Sequence, residues 1–167
     1  FSSTLWHAAE LGAPQAVIAL SGAVDHLGKI LGDDHPHTLA SRNNLAHAYY
    51  SAGRLGEAIP LYEQVLADSA RLLGEDHPDT LASRNNLASA YYSAGRLGEA
   101  IPLYEQVLTD SVRLLGDNHP DTLTSRNNLA GAYESAGRLE EALPLYEEVL
   151  ADRARVLGDN HPQTLTS

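Results

Sequence analysis

Three consecutive copies of one 42-residue stretch constrain the fold of this chain more than any other feature. Residues 79–120 are preceded by a copy at residues 37–78 that differs at six positions, and are followed by a copy at residues 121–162 that differs at ten. Repeats of roughly 20 to 50 residues are typical of solenoid proteins, in which each unit packs only on its neighbours. The sequence therefore predicts an array of similar stacked units.

Each copy contains two stretches with helical spacing of apolar residues. In the first full copy, helix A is predicted from about residue 35 to residue 52 and helix B from about residue 55 to residue 73, with Gly53 and Gly74 ending them. Pro36 falls in the first turn of helix A, where a missing N–H costs little. Polar residues just before the helix are predicted as N-caps: Asp34, Asp76, Asn118 and Asn160. Two helices joined by so few residues pack antiparallel, so each copy is predicted to be a helical hairpin.

These turns also set the predicted repeat boundaries. We expect one array over residues 1–167, with full repeats at 33–74, 75–116 and 117–158 and the start of a further, truncated repeat at 159–167. Residues 1–32 form a degenerate first repeat, with a short helix to about Gly12 and a second helix from Pro14 to about Ile30. This repeat is either a terminal cap or a diverged internal repeat. We expect the sequence to be a piece of a longer array.

Composition and charge argue against several classes of partner and site. The net charge is −11 and Lys29 is the sole lysine, whereas nucleic-acid binding requires a basic surface. The sequence has no cysteine, which excludes disulfides, thiolate catalysis and zinc-thiolate sites. No apolar run approaches the roughly 20 residues of a membrane helix. We therefore expect a soluble, cytoplasmic protein with neither a nucleic-acid nor a membrane partner.

The string NNLAxAYxxAGRLxEAxPLYExVL, present in each full copy, resembles the tetratricopeptide repeat. Small Ala46 and Ala58 alternate with large Tyr49 and Tyr62, which lets the helices approach closely. The resemblance implies an all-α, right-handed superhelical solenoid of antiparallel helix-turn-helix repeats. The unit has 42 residues instead of about 34. In this longer repeat it is similar to the repeats of kinesin light chains and to arrays attached to bacterial signal-transducing ATPases. The sequence has ten Arg and one Lys, which favours a bacterial source.

One side of helix A carries most of the candidate binding residues. Leu45, Ala46 and Tyr49 point to the packing side, and the family resemblance implies that the other side lines a concave groove. Within helix A, after its capping turn, the copies differ only on this second side. We call its candidate binding residues the groove face: Asn43, Asn44, His47, Tyr50, Asn85, Asn86, Ser89, Tyr92, Asn127, Asn128, Gly131 and Glu134.

The groove face has two interpretations. Asparagine both donates and accepts hydrogen bonds, so the Asn residues can hold a peptide main chain while His47, Tyr50 and Glu134 select its side chains. In the kinesin light-chain resemblance, an Asn at the place of Asn44, Asn86 and Asn128 has this role. Alternatively, these positions are simply exposed to solvent, and Asn43, Asn85 and Asn127 bond between repeats.

Arg42, Arg84 and Arg126 fall on the packing side of helix A, where an unpaired guanidinium would be prohibitively costly. We expect each stem to pack between helices and each guanidinium to reach a carboxylate. The candidates are Glu63, Asp68 or an Asp of the preceding turn. Phosphate binding is the functional alternative.

Histidines recur every 42 residues, at His35, His77, His119 and His161. Adjacent repeats separate them too far to share one metal ion, so a role in the capped turn is favoured even for the close pair His35 and His37. Every candidate Ser-His-Asp triad would be repeated along the array without an oxyanion loop. We therefore expect no metal, no cofactor and no enzymatic activity.

The sequence favours a protein-interaction scaffold that binds a peptide or protein segment in the groove lined by helix A of each repeat. The groove face carries no Lys or Arg to hold a free carboxylate, so a free C-terminus is not expected as the target. The alternative is a structural, self-assembling array, or one that regulates a catalytic domain outside this sequence. End-to-end self-association near Leu165 would be part of that alternative.

Overall fold

A computed structural model describes residues 13–157, and within this range the chain forms seven α-helices and no strand. The helices are α1 (Ala13–Leu31), α2 (Pro36–Ser51), α3 (Leu55–Leu73), α4 (Pro78–Ser93), α5 (Leu97–Leu115), α6 (Pro120–Ser135) and α7 (Leu139–Leu157). The predicted all-α fold is confirmed for these residues. The first predicted helix, His161 and Leu165 lie outside the described range.

Backbone contacts divide the chain into two compact units, with the boundary inside α4. The first unit ends at Ala90 and contains α1, α2, α3 and most of α4. The second unit begins at Tyr91 and contains the end of α4 together with α5, α6 and α7. The grouping of all repeats into a single array stays a prediction.

The turns between helices A and B form where glycine was expected. Gly53 has φ +73°, a conformation that side chains disfavour, and the following Arg54 N–H donates to the carbonyl of Tyr49 at 2.9 Å. This bond closes α2 and reverses the chain into α3, whose bounds agree with those predicted. Gly74 ends α3 with φ +96°. Pro60 lies in the first two turns of α3 without breaking the helix.

Small and large residues interlock between α2 and α3 as the repeat pattern predicts. Ala46 and Ala58 are completely buried, and Tyr62 is 2% exposed. Burial disfavours the phenolate and raises the pKa of Tyr62 to about 12. On the other side of α2, Leu45 packs with Val17 and Val24 of α1.

The same interlocking recurs in the second unit. Ala130 of α6 and Ala142 of α7 are almost completely buried there. Helix packing is therefore repeated along with the sequence.

A cation–π contact accompanies each turn between helices A and B, which the sequence analysis did not anticipate. The guanidinium of Arg54 lies 4.8 Å from the ring centre of Tyr49 and donates to Glu57. In the second unit, Arg96 lies over Tyr91 and Arg138 over Tyr133, both at 4.5 Å. The AGRL motif thus places an arginine where the helix has just ended, and its planar group covers a tyrosine ring in the last turn of helix A.

The predicted N-caps are wrong by one residue, because the capping side chain is the histidine that follows. In α2, His35 is the N-cap and its Nδ1 accepts from the N–H of His37 at 3.2 Å. His119 does the same for Asp121 at 3.1 Å. The helix begins at proline, which has no N–H, so an acceptor two residues before the next N–H is well placed.

The residues predicted as caps have other partners. Asp34 accepts from Arg71 at 2.6 Å, and this hydrogen bond lowers the pKa of the Asp34 carboxyl. Asn118 accepts from Arg155 in the same way. The expectation that the recurring histidines act in the capped turn is confirmed for His35, His77 and His119, the three that are described.

The arginines of helix A are paired with carboxylates, as predicted, and two of them, Arg84 and Arg126, are buried, whereas Arg42 is half-buried. The partner of Arg84 is a glutamate and not the aspartate that was expected in the preceding turn. Arg84 is 3% exposed and its guanidinium lies 2.5 Å from Glu75 in the preceding turn. Arg42 contacts Asp33 of its preceding turn and donates to Asp68 of α3 at 3.3 Å. Each arginine thus reaches back to the turn that introduces its own helix.

The second unit contains the most complete version of this ion-pair network. Arg126, at 6% exposure, lies 3.1 Å from Asp117, 3.2 Å from Glu148 and 2.8 Å from Asp152. The exposed Arg155 contacts Asp152 from its other side. The network therefore ties the capping turn, α6 and α7 together.

We expect His119→Ala to lower the free energy of unfolding by about 1 kcal/mol, because the N–H of Asp121 loses its acceptor. Asn118→Ala is the matched control and should cost no more than about 0.5 kcal/mol, since it removes only an exposed contact. Urea unfolding of the two variants measures the difference. If Asn118→Ala lowered the free energy of unfolding more than His119→Ala, Asn118 would be the N-cap, as the sequence predicted.

We expect Arg126→Leu to destabilise the chain by about 3 kcal/mol, because it leaves the shielded carboxylate of Asp152 without its buried partner. Arg155→Leu removes an exposed arginine from the same carboxylate and should cost about 0.5 kcal/mol. Thermal and urea unfolding measure both values. Unchanged stability of Arg126→Leu would instead favour the anion-binding interpretation of these arginines.

Candidate functional site

The groove face is accessible to solvent along its whole length. None of its twelve residues is buried, whereas Leu45, Leu87 and Leu129 on the opposite side of the same helices are each 4% exposed. Asn44, His47, Tyr92 and Glu134 are the most open. This division into a packed side and an open side agrees with the helical arithmetic, and the role of the open side in binding stays a prediction.

In the first unit, a cavity of about 480 Å³ opens between the first helices of two successive repeats. The N-terminal halves of α2 and α4 form its two walls, and the C-terminal half of α3 contributes its floor. Its lining comprises Asp34, Pro36, Leu39, Ala40, Asn43, Val65, Ser69, Leu72, Leu73, Asp79, Ala82, Ser83 and Asn86. The floor is therefore apolar and the walls carry polar groups.

An asparagine pair crosses this cavity from one repeat to the next. The Nδ2 of Asn86 on α4 donates to the Oδ1 of Asn43 on α2 at 3.3 Å. The interpretation that asparagines bond between repeats is correct for this pair. The bond occupies one donor and one acceptor, so an N–H of Asn43 and the carbonyl of Asn86 remain to face the cavity.

Other predicted residues of the first unit lie away from this cavity. His47 and Tyr50, one turn apart on α2, stack with ring centres 6.2 Å apart. Asn44 is exposed, and Asn85 and Ser89 are half-buried, but none of the three lines the cavity. The structure thus brings Asn43 and Asn86 together and leaves His47 and Tyr50 as a separate aromatic pair.

In the second unit, the groove face contributes to a smaller cavity of about 210 Å³. Its lining is Tyr92, Tyr104, Asn127, Asn128, Gly131 and Tyr146. Four of these residues belong to the predicted groove face. Tyr104 and Tyr146 come from helix B, so three of the six lining residues are tyrosines.

Hydrogen bonds orient the aromatic side chains around this second cavity. The hydroxyl of Tyr146 donates to Oε2 of Glu134 at 2.8 Å, and the hydroxyl of Tyr92 lies 2.8 Å from Oγ of Ser135. Burial, and then the bond to Glu134, raise the pKa of Tyr146 to about 12. The phenol therefore stays protonated at neutral pH and keeps donating to the carboxylate.

Sequence reasoning missed the helix B residues of both cavities. Tyr104 and Tyr146 stand at the position of Tyr62 in the next two copies, where the repeat pattern predicts only packing between helices. Both also line the second cavity. The consecutive leucines Leu72 and Leu73 were a usable signal, because two adjacent helical residues cannot both point into one core. Both are exposed and both line the first cavity.

Other kinds of site find no support among residues 13–157. No group of three or more His, Cys, Asp or Glu in this range is arranged to hold a metal ion. None of the described helices is long and apolar enough to cross a membrane. Among the described residues, the two cavities are therefore the candidate binding sites on the groove face.

Comparisons with known proteins were made on sequence and on structure. Two family models, both described as tetratricopeptide repeat, match the chain, one at residues 13–69 and 44–111 and the other at residues 122–163. A search of curated proteins found no match. The family models together cover most of the chain.

Several solved structures resemble this fold. The nearly identical TPR-like repeats of a Podosopora anserina protein assigned as a kinesin light chain are 38% identical to this chain, with a TM-score of 0.85, over 99% of this chain and 78% of that one. BtubC (BKLC) from P. vanneervenii is 22% identical, with a TM-score of 0.76, over 90% of this chain and 59% of its own.

A third similar structure is PlcR of Bacillus thuringiensis, solved in complex with the peptide PapR7 and DNA. It is 19% identical, with a TM-score of 0.71, and the match covers 95% of this chain and 55% of PlcR. At such identities, BtubC and PlcR show similarity of fold alone.

Proposed function

Because the chain belongs to the tetratricopeptide repeat family, with repeats similar to those of a kinesin light chain-type protein, we propose that it is a protein-interaction module. Its ligand is an extended peptide or protein segment that lies against helix A of successive repeats. The cavity between α2 and α4 carries this proposal, because it combines a volume of about 480 Å³ with an apolar floor and polar walls.

The apolar floor suits an apolar side chain of the bound segment. Val65, Leu72 and Leu73 of α3 line it, and burial of such a side chain contributes about 1.5–3 kcal/mol. Pockets of roughly 300 to 1,000 Å³ with a few polar groups are typical of binding sites. Ala40 and Ala82 have small side chains, so they leave space for a ligand side chain to enter between α2 and α4.

The Asn43 and Asn86 pair suits the main chain of the same segment. Their mutual bond leaves an N–H of Asn43 that can donate to a peptide carbonyl. It also leaves the side-chain carbonyl of Asn86, which can accept from a peptide N–H. PlcR, which shares the fold, was solved with a peptide bound, and this supports a peptide as ligand for this type of array. The acidic net charge of −11 favours a peptide over a nucleic acid.

A role in self-association or in controlling a separate catalytic domain is the alternative. Sedimentation over a range of concentrations separates these, because a stable monomer favours a groove binder and reversible association favours assembly. The end-to-end contact near Leu165 lies outside the described residues. A cytoplasmic location and the lack of enzymatic activity are part of the proposal and stay predictions.

We expect the double substitution Asn43→Ala and Asn86→Ala to weaken peptide binding about tenfold, because two main-chain hydrogen bonds are lost. The probes are peptides selected from a random display library on the immobilised chain, and fluorescence anisotropy measures their affinity. Gln64→Ala, an exposed residue of α3 that does not line the cavity, is the control. Unchanged affinity in the double variant would rule out the asparagine pair as the main-chain contact.

We expect Ala82→Trp to abolish binding of the same peptides, because the indole fills the cavity between α2 and α4. Ala67→Trp adds the same group at an exposed position of α3 outside the cavity and should leave the affinity unchanged. Circular dichroism checks that both variants keep their helices. Equal affinity of the two variants would show that the peptides bind elsewhere.

A further inference from the structure

The last full repeat differs from the others at two neighbouring positions of the groove face. It carries Gly131 where the preceding copy has Ser89, and Glu134 where that copy has Tyr92. A Cβ built at Gly131 would lie 3.7 Å from the hydroxyl oxygen of Tyr146. A longer side chain at this position would therefore extend into the cavity of the second unit, so its free space depends on the glycine.

Three of the six residues that line this cavity are tyrosines. Tyr104 is 4% exposed and supplies its inner side, whereas Tyr92 is 39% exposed and stands at its rim. The volume of about 210 Å³ is below the roughly 300 Å³ at which small-molecule pockets begin. The cavity is thus suited to one side chain of a larger ligand, and a lining rich in tyrosine favours a cation.

A carboxylate stands beside these rings. Tyr146 donates to Oε2 of Glu134 and holds the carboxylate, while Oε1 is left for a ligand. Asn127 also lines the cavity, and its side-chain amide can accept a hydrogen bond as well as donate one. No Arg or Lys is among the residues that line it. The site therefore combines tyrosine rings with hydrogen-bond acceptors, and the carboxylate of Glu134 is held next to it by Tyr146 without lining it.

We propose that the cavity formed by Tyr92, Tyr104 and Tyr146 takes an arginine side chain of the bound segment, next to Glu134. A guanidinium is planar, so it can stack on tyrosine while its N–H groups donate to a carboxylate. Lysine has a more strongly hydrated, compact charge and loses more on entering such a site. The inference rests on the proposed function, because the arginine belongs to the segment that the groove face binds.

The side-chain preference can be measured without knowing the natural partner. N-acetyl-arginine methylamide and its uncharged isostere N-acetyl-citrulline methylamide are titrated into isotope-labelled chain, and NMR follows the Gly131 amide and the ring signals of Tyr92 and Tyr146. We expect the arginine probe to bind about tenfold more tightly than the citrulline probe. Equal affinities, absent shifts of these signals, or a lysine probe that binds as tightly would overturn the proposal.

Two variants test which residues create this preference. Glu134→Gln should remove the difference between the two probes, whereas Glu140→Gln, which removes an exposed charge from α7 outside the cavity, should preserve it. Gly131→His, which introduces the residue found at His47 in the first full repeat, should block both probes. A preference that survives Glu134→Gln would contradict the proposal.

These outcomes are separable from those of the proposed function. One result would support the peptide-binding function and reject the arginine site. In that case library peptides bind the chain and lose affinity in Ala82→Trp, but the arginine and citrulline probes bind equally tightly. The opposite result would support the arginine site and reject the peptide-binding function. In that case the NMR signals shift selectively with the arginine probe and require Glu134, but Ala82→Trp weakens the binding of no library peptide.

Discussion

The buried guanidinium of helix A is the interaction on which each repeat depends. In the second unit, Arg126 pairs with the preceding turn through Asp117 and with helix B through Asp152. A buried charge that loses its partner costs several kcal/mol, so the three segments can pack only in the arrangement that brings these groups together. Arg42 joins its own turn and α3 in the same way. Helix packing and charge pairing thus specify one geometry.

This network occupies one side of helix A and leaves the other side to vary. The same backbone position carries His47, Ser89 or Gly131, while the alanines and arginines beneath it are the same in every copy. The two cavities have different chemistry as a result. The first has an apolar floor crossed by an amide pair, and the second has aromatic walls beside a carboxylate. The same repeated scaffold therefore carries cavities of different chemistry.

The sequence predicted the helices well because their signals are local. The bounds of α3 agree with the apolar spacing, and positive φ occurs at Gly53, where the pattern required glycine. The caps were less predictable, since Asp34 and His35 are both good acceptors one residue apart. Their roles were decided by Arg71, which is 37 residues away in sequence and engages Asp34. The asparagines left the same ambiguity until the bond between Asn86 and Asn43 assigned this pair.

The repeat, the two helices of each unit and the division of helix A into a packed and an open side all follow from the amino-acid pattern alone. Periodicity is sufficient for these features, because helical geometry places residues on a face whatever surrounds them. The positions of the two cavities on the open side came only from the packing of different helices. A cavity depends on the distance between side chains of different helices, as where Leu72 forms part of a floor or Tyr146 forms part of a wall. No spacing within a single helix specifies that distance.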